Sequence, residues 1–133
     1  MQKSLTILKN LFMRKRPKTV PILRPRLQVS VGFEVVLGPG KADLLEQIRD
    51  TGSIAKAAAR MEMSYMRAWT LVRTMNTCFR EPLVVTARGG KAQGGSHLTE
   101  TGRRALELYR RMEQRARRSS KPVWTSLRQL LRP

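Results

Sequence analysis

The sequence predicts an α+β, mainly α fold: a winged helix-turn-helix with an N-terminal strand, a β-hairpin wing and a long C-terminal helix. Three observations predict it. First, the Ala-rich run from Thr51 to Arg60 leads through a turn at Met61-Glu62-Met63 into a second helical stretch opening at Ser64. Two helices that cross steeply need small side chains at the crossing, and the alanines supply them. Second, the glycine-rich, basic segment Arg88 to Gly95 lies between short stretches of strand composition, Leu83 to Ala87 and Ser96 to Leu98. Third, Ala105, Tyr109, Met112 and Ala116 recur at helical spacing after Thr99, with Leu106 and Leu108 alongside.

Taken in order, residues 1–22 form a basic arm that carries Lys3, Lys9, Arg14, Lys15, Arg16 and Lys18 and no acid. A short helix is expected around Leu5 to Phe12, and the arm reads either as a solvated tail or as an added phosphate contact. Residues 23–118 form the winged helix-turn-helix domain. Its first element is one strand from Arg26 to Leu37, because Leu27, Val29, Val31, Phe33 and Val35 alternate with polar or small residues. Gly38-Pro39-Gly40 ends it. A helix over Lys41 to Asp50 follows, with Leu44, Leu45 and Ile48 on its buried stripe and Gly52 as its stop. Ser53, Ser64 and Thr99 are expected to cap the three later helices through their hydroxyls. Residues 119–133 form a basic, amphipathic tail with Val123, Trp124, Leu127, Leu130 and Leu131 on one face.

Composition narrows the function. A chain of 133 residues with 41% apolar content holds one ordinary domain plus tails. A formal net charge of +18 implies a polyanionic partner, with nucleic acid first and an anionic membrane surface as the competing sink. Cys78 and His97 are each the sole residue of their type, which excludes an intrachain disulfide and a zinc site built from Cys and His. No run approaches the ~20 apolar residues of a membrane span. Leu5 to Leu8 is broken by Lys9 and lacks a small-residue cleavage site, so a cytoplasmic protein is expected. The Gly40-Lys41 pair is not a phosphate-binding loop, since Val35 stands where that motif needs its first glycine and Ala42 where it needs Ser or Thr.

The candidate contacts follow from the expected geometry. Arg67 and Arg73 on the second helix of the motif can each grip a guanine edge with two hydrogen bonds. Ser64 and Tyr65 lie at that helix's start and Thr70 on its outer side, while Ser53 opens the preceding helix. Arg88, Lys91 and Gln93 lie on the wing, where four glycines let the backbone approach phosphate closely. Ala68, Leu71 or Val72, and Met75 should face the core, and Trp69 is expected to pack as well. Cys78 reads as a buried or half-buried apolar residue and His97 as a strand residue at the wing base. Asp43, Glu46 and Asp50 read as solubilising charge. No set of acid, base, nucleophile or metal ligands stands out, so no enzyme, cofactor or metal is expected.

The span from about Arg26 to Arg118 resembles the N-terminal DNA-binding domain of the molybdate-responsive regulator family ModE. The residues that carry the likeness are Leu37-Gly38-Pro39-Gly40, Thr51-Gly52-Ser53-Ile54 with the Ala-rich helix, and Met63-Ser64-Tyr65-Met66-Arg67-Ala68-Trp69. Met75-Asn76, Glu81-Pro82-Leu83-Val84, the glycine-rich wing and Leu98-Thr99-Glu100-Thr101-Gly102 complete it. A more distant likeness to LysR-type regulator heads lies in the order of helix-turn-helix and wing. The resemblance implies a homodimer, held partly by the long helix after the wing, that reads double-stranded DNA with the helix beginning at Ser64. Members of the family continue into molybdate-binding domains, for which the residues up to Pro133 leave no room. Sensing is then left to a separate protein, to the regulator's own abundance or to another signal. A sequence-indifferent architectural DNA binder, and an adaptor whose basic termini bind a membrane or an acidic protein, are the alternatives.

Overall fold

The computed structural model describes residues 19–87 and 95–133. The basic arm up to Lys18 and the wing tip, with Arg88, Lys91 and Gln93, lie outside the described residues.

The chain between Arg26 and Leu37 folds as a hairpin rather than the single strand expected. Strand β1, Val29–Val31, pairs antiparallel with β2, Glu34–Leu37, and the register slips between Val29 and Ser30. Gly32 is the cause. Its φ of +59 sits at the first of two loop residues, where a hairpin turn matching the strand twist demands a positive φ. Apolar alternation passes straight through such a turn, so the pattern hid it. The result leaves Val31 and Phe33 in solvent, while Val36 and Leu37 enter the core.

Helix α1, Pro39–Thr51, follows, with proline at its first turn and Gly52 in the left-handed region as its stop. Leu44, Leu45 and Ile48 are fully buried, as their spacing requires. Helix α2, Ile54–Arg60, and α3, Tyr65–Cys78, form the helix-turn-helix. Ala57 and Ala58 are buried where α2 packs between α1 and α3, so absent side-chain bulk is what brings the helices together. Glu62 takes a φ of 55 in the turn between them. Ser53 and Ser64 cap as expected, each accepting at 3.1 Å, from the Lys56 and Arg67 amides respectively.

Strands β3, Val84–Thr86, and β4, Ser96–Leu98, pair antiparallel with Val85 opposite His97 and form the base of the wing. Helix α4 then runs without a break from Glu100 to Arg128. It carries Pro122 in its interior at the cost of one helical hydrogen bond. The apolar residues expected on a separate tail therefore continue the face of the helix before them. Thr99 caps α4 by accepting from the Gly102 amide at 2.9 Å.

The core joins α1, α2, α3, the wing base and only the first part of α4: Ala68, Val72, Met75, Leu83, Leu98, Leu106 and Tyr109 all belong to it. Among the described residues no helix is long and apolar enough to cross a membrane, and no cluster of metal-ligating side chains occurs.

Candidate nucleic-acid interface

Helix α3 divides into two faces. Ala68, Val72 and Met75 are buried, and opposite them on the helical wheel stand Met66, Thr70, Arg73 and Thr77, all exposed. Tyr65 and Trp69 flank that stripe on one side and Arg67 on the other. The expected core residues of α3 thus lie inside, and Ser64, Tyr65, Arg67, Thr70 and Arg73 share the outer surface. Ser53 is half-buried at the start of α2.

Trp69 departs from expectation. It keeps 40% of its surface exposed, because the helix turns it away from Ala68 and Val72. The Arg73 guanidinium lies 5.6 Å from the centre of its ring, a cation–π contact worth about 0.5–1 kcal/mol at an exposed site. Cys78 is also exposed rather than buried, since it falls at the last turn beyond the buried stripe. Met66, which sequence reasoning passed over, is exposed at the centre of the face; its position opposite Ala68 and Met75 on the wheel was the available signal.

The electrostatics of this surface are one-sided. Helix α3 contains no acid, and neither Arg67 nor Arg73 has a carboxylate partner among the described residues. The threonine hydroxyls turn inward along the helix: Thr70 donates to the Met66 carbonyl at 2.8 Å, Thr74 to Thr70 at 3.1 Å and Thr77 to Arg73 at 2.8 Å. Guanidinium groups and apolar atoms therefore dominate what the face offers.

Behind this face, hydrogen bonds fix α3 to the wing. The Asn76 side chain accepts from the Leu83 and Val84 amides at 2.8 and 3.1 Å and donates to the Val84 carbonyl at 2.9 Å. The Ser96 amide donates to the Gly52 carbonyl at 2.9 Å, tying β4 to the junction of α1 and α2. Thr99 adds a third tie, with its hydroxyl donating to the Pro82 carbonyl at 2.6 Å. His97 stands on β4 with its side chain exposed.

Carboxylates gather on the side of α1 that meets α4. Asp43 and Glu46, read from sequence as solubilising charge, instead hold Arg110 at 2.6 and 2.8 Å, with Glu113 at 2.9 Å. Burial disfavours the Arg110 charge, yet its hydrogen bonds to Glu46, Asp43 and Glu113 outweigh that and raise its pKa further above the ordinary range. Two of the nine acids are thereby committed to fastening α1 to α4. Asp50 pairs with its neighbour Arg49 at the surface.

No family model matches the chain. It is 41% identical over 88 residues to the molybdenum transport protein ModE of Azotobacter vinelandii, which covers 66% of this chain and 33% of that protein. To the transcriptional regulator ModE of Yersinia pestis it is 46% identical over 71 residues, 53% of this chain and 27% of that one. The molybdenum-pterin-binding protein MopB of Rhodobacter capsulatus is 40% identical over 77 residues, 58% and 28% of the two chains. The matches thus span 27% to 33% of the relatives' own length. In fold, the chain resembles a solved CbnR_DBD–DNA complex with a TM-score of 0.52 at 22% identity, covering 66% of this chain and 95% of that one. The described domain is a winged helix-turn-helix, similar in sequence to proteins named ModE.

Proposed function

We propose that the chain is a sequence-specific transcriptional regulator that binds duplex DNA as a cytoplasmic homodimer. One observation carries the reading: the outward face of α3 presents Arg67 and Arg73 without a carboxylate partner among the described residues, in a chain of net charge +18. In this reading α3 enters the major groove, where Arg67 and Arg73 meet base edges, Ser64 and Tyr65 meet bases or phosphates near the helix start, and Thr70 lies against the bases from its outer side. Ser53 faces the backbone beside it, and Arg88, Lys91 and Gln93 on the wing supply phosphate or minor-groove contacts that set register. The likeness to regulators named ModE supports the same assignment.

Support for a homodimer comes from α4. Met112, Val123 and Leu127 are exposed along the line of Ala105, Tyr109 and Ala116, with spacings of three, four or seven residues, the repeat by which helices pair lengthwise. A two-fold pair would present two α3 helices to major grooves ~34–36 Å apart.

In vitro selection of DNA by the purified chain, followed by competition with random duplex, tests the proposal. A regulator enriches one two-fold-related sequence and resists the competitor. Equal affinity for all sequences would instead indicate an architectural binder. Arg67→Ala or Arg73→Ala should cost on the order of 1–3 kcal/mol on the selected site, with relaxed preference at one base pair.

A further inference from the structure

The middle of the outward α3 face is apolar. Met66 is 65% exposed there, and Trp69, one turn further on, keeps 40% of its surface open even with Arg73 over its ring. The neighbouring threonines have spent their hydroxyl protons on the carbonyls of Met66, Thr70 and Arg73. The threonines of this stretch therefore have no hydroxyl proton left to donate to a base. In the major groove the most prominent apolar base-edge group is the C5-methyl of thymine.

We infer that Met66, with Trp69 beside it, reads thymine methyl groups, so that the bound sequence is chosen by methyl contact as well as by arginine. This rests on the DNA-binding reading above and specifies what the same surface recognises. Thioether and indole suit the role chemically. Methionine is unbranched and adapts its shape to a small apolar target, while the indole offers a broad flat surface. The Arg73 guanidinium, packed over the Trp69 ring, places a cation directly next to this apolar patch. Burying the thymine methyl against Met66 removes both from water, a gain that a base without the methyl cannot give.

Deoxyuridine keeps every hydrogen-bonding group of thymidine and lacks only the methyl, so it isolates the contact. The full chain is titrated with its selected duplex and with copies in which single thymines are replaced by deoxyuridine. At the contacted positions affinity should fall about fourfold per methyl, the worth of one buried methyl-sized group. Met66→Ala, a change at an exposed helical position, should bind the thymine duplex more weakly and lose the thymine–uracil difference at those positions. Arg67→Ala should bind more weakly but keep that difference. Equal affinity for every deoxyuridine duplex, or full discrimination retained by Met66→Ala, overturns the inference while leaving specific DNA binding intact. Failure to select any sequence overturns the regulator proposal itself and this inference with it.

Discussion

Between Glu100 and Glu113, α4 is anchored by its own domain; beyond Gln114 the same helix carries exposed Val123, Leu127 and a run of bases without a single acid. Near the cap, Gly102 lies against the Leu83 backbone so closely that a Cβ would collide with its carbonyl. One turn further Leu106 and Tyr109 are buried, and the Tyr109 hydroxyl donates to the Leu27 carbonyl at 2.8 Å. Among the described residues the far half meets the segment around Leu23, with Arg117 reaching its carbonyl at 3.4 Å. What differs is the number of groups that depend on the helix. The near half is packed into the core of its own domain, whereas among the described residues the far half leaves Val123 and Leu127 exposed, the edge the proposed dimer would use.

Substitutions along the helix should separate these two behaviours. Gly102→Val drives a side chain into the Leu83 backbone, which cannot retreat without dragging β3. We expect a loss on the order of 3 kcal/mol in denaturant unfolding; an unchanged midpoint would mean that the near half is not wedged. Arg110→Met leaves Asp43, Glu46 and Glu113 facing one another around a site that is 27% exposed. A penalty of about 2 kcal/mol is expected, between the values for surface and buried pairs and shrinking as salt is added.

Tyr109→Phe removes one hydrogen bond to Leu27, worth about 1 kcal/mol. Burial pushes the Tyr109 phenol above its ordinary 10.0. A group raised in the folded state contributes stability below its unfolded pKa and loses it as pH climbs through the folded value. Wild-type protein should therefore weaken in strong alkali by an amount that Tyr109→Phe abolishes, measured as melting temperature against pH.

Leu127→Asp sits at the other extreme. In the proposed dimer it should leave secondary structure and monomer stability within ~0.5 kcal/mol while shifting sedimentation from dimer to monomer. A fold-destabilising effect at concentrations where the wild type is already monomeric would erase the contrast between the halves.

Much of this was legible in the sequence, for reasons that particular residues make plain. Leu44, Leu45 and Ile48 announced α1 because helical spacing and burial are the same statement. Ser53, Ser64 and Thr99 marked helix starts through a local hydrogen bond that needs no tertiary context. The β1–β2 hairpin escaped because one positive-φ glycine reverses the chain without disturbing apolar alternation. Asp43 and Glu46 misled for the opposite reason: their partner Arg110 lies more than sixty positions away in sequence, and charge patterns report only neighbours. Trp69 illustrates a third limit. Its residue type favours burial, but its angle around α3, set by Ala68 and Val72, decides against it.

The Asn76 clamp has a mechanical consequence. Three hydrogen bonds lock the last turn of α3 to the wing strand, while Gly52 holds the opposite strand to the helices behind. The base of the wing and α3 must then swing as one block, with α4 rooted in it like a lever. A force applied at the lever's free end would turn the whole block as a unit, leaving its internal shape untouched.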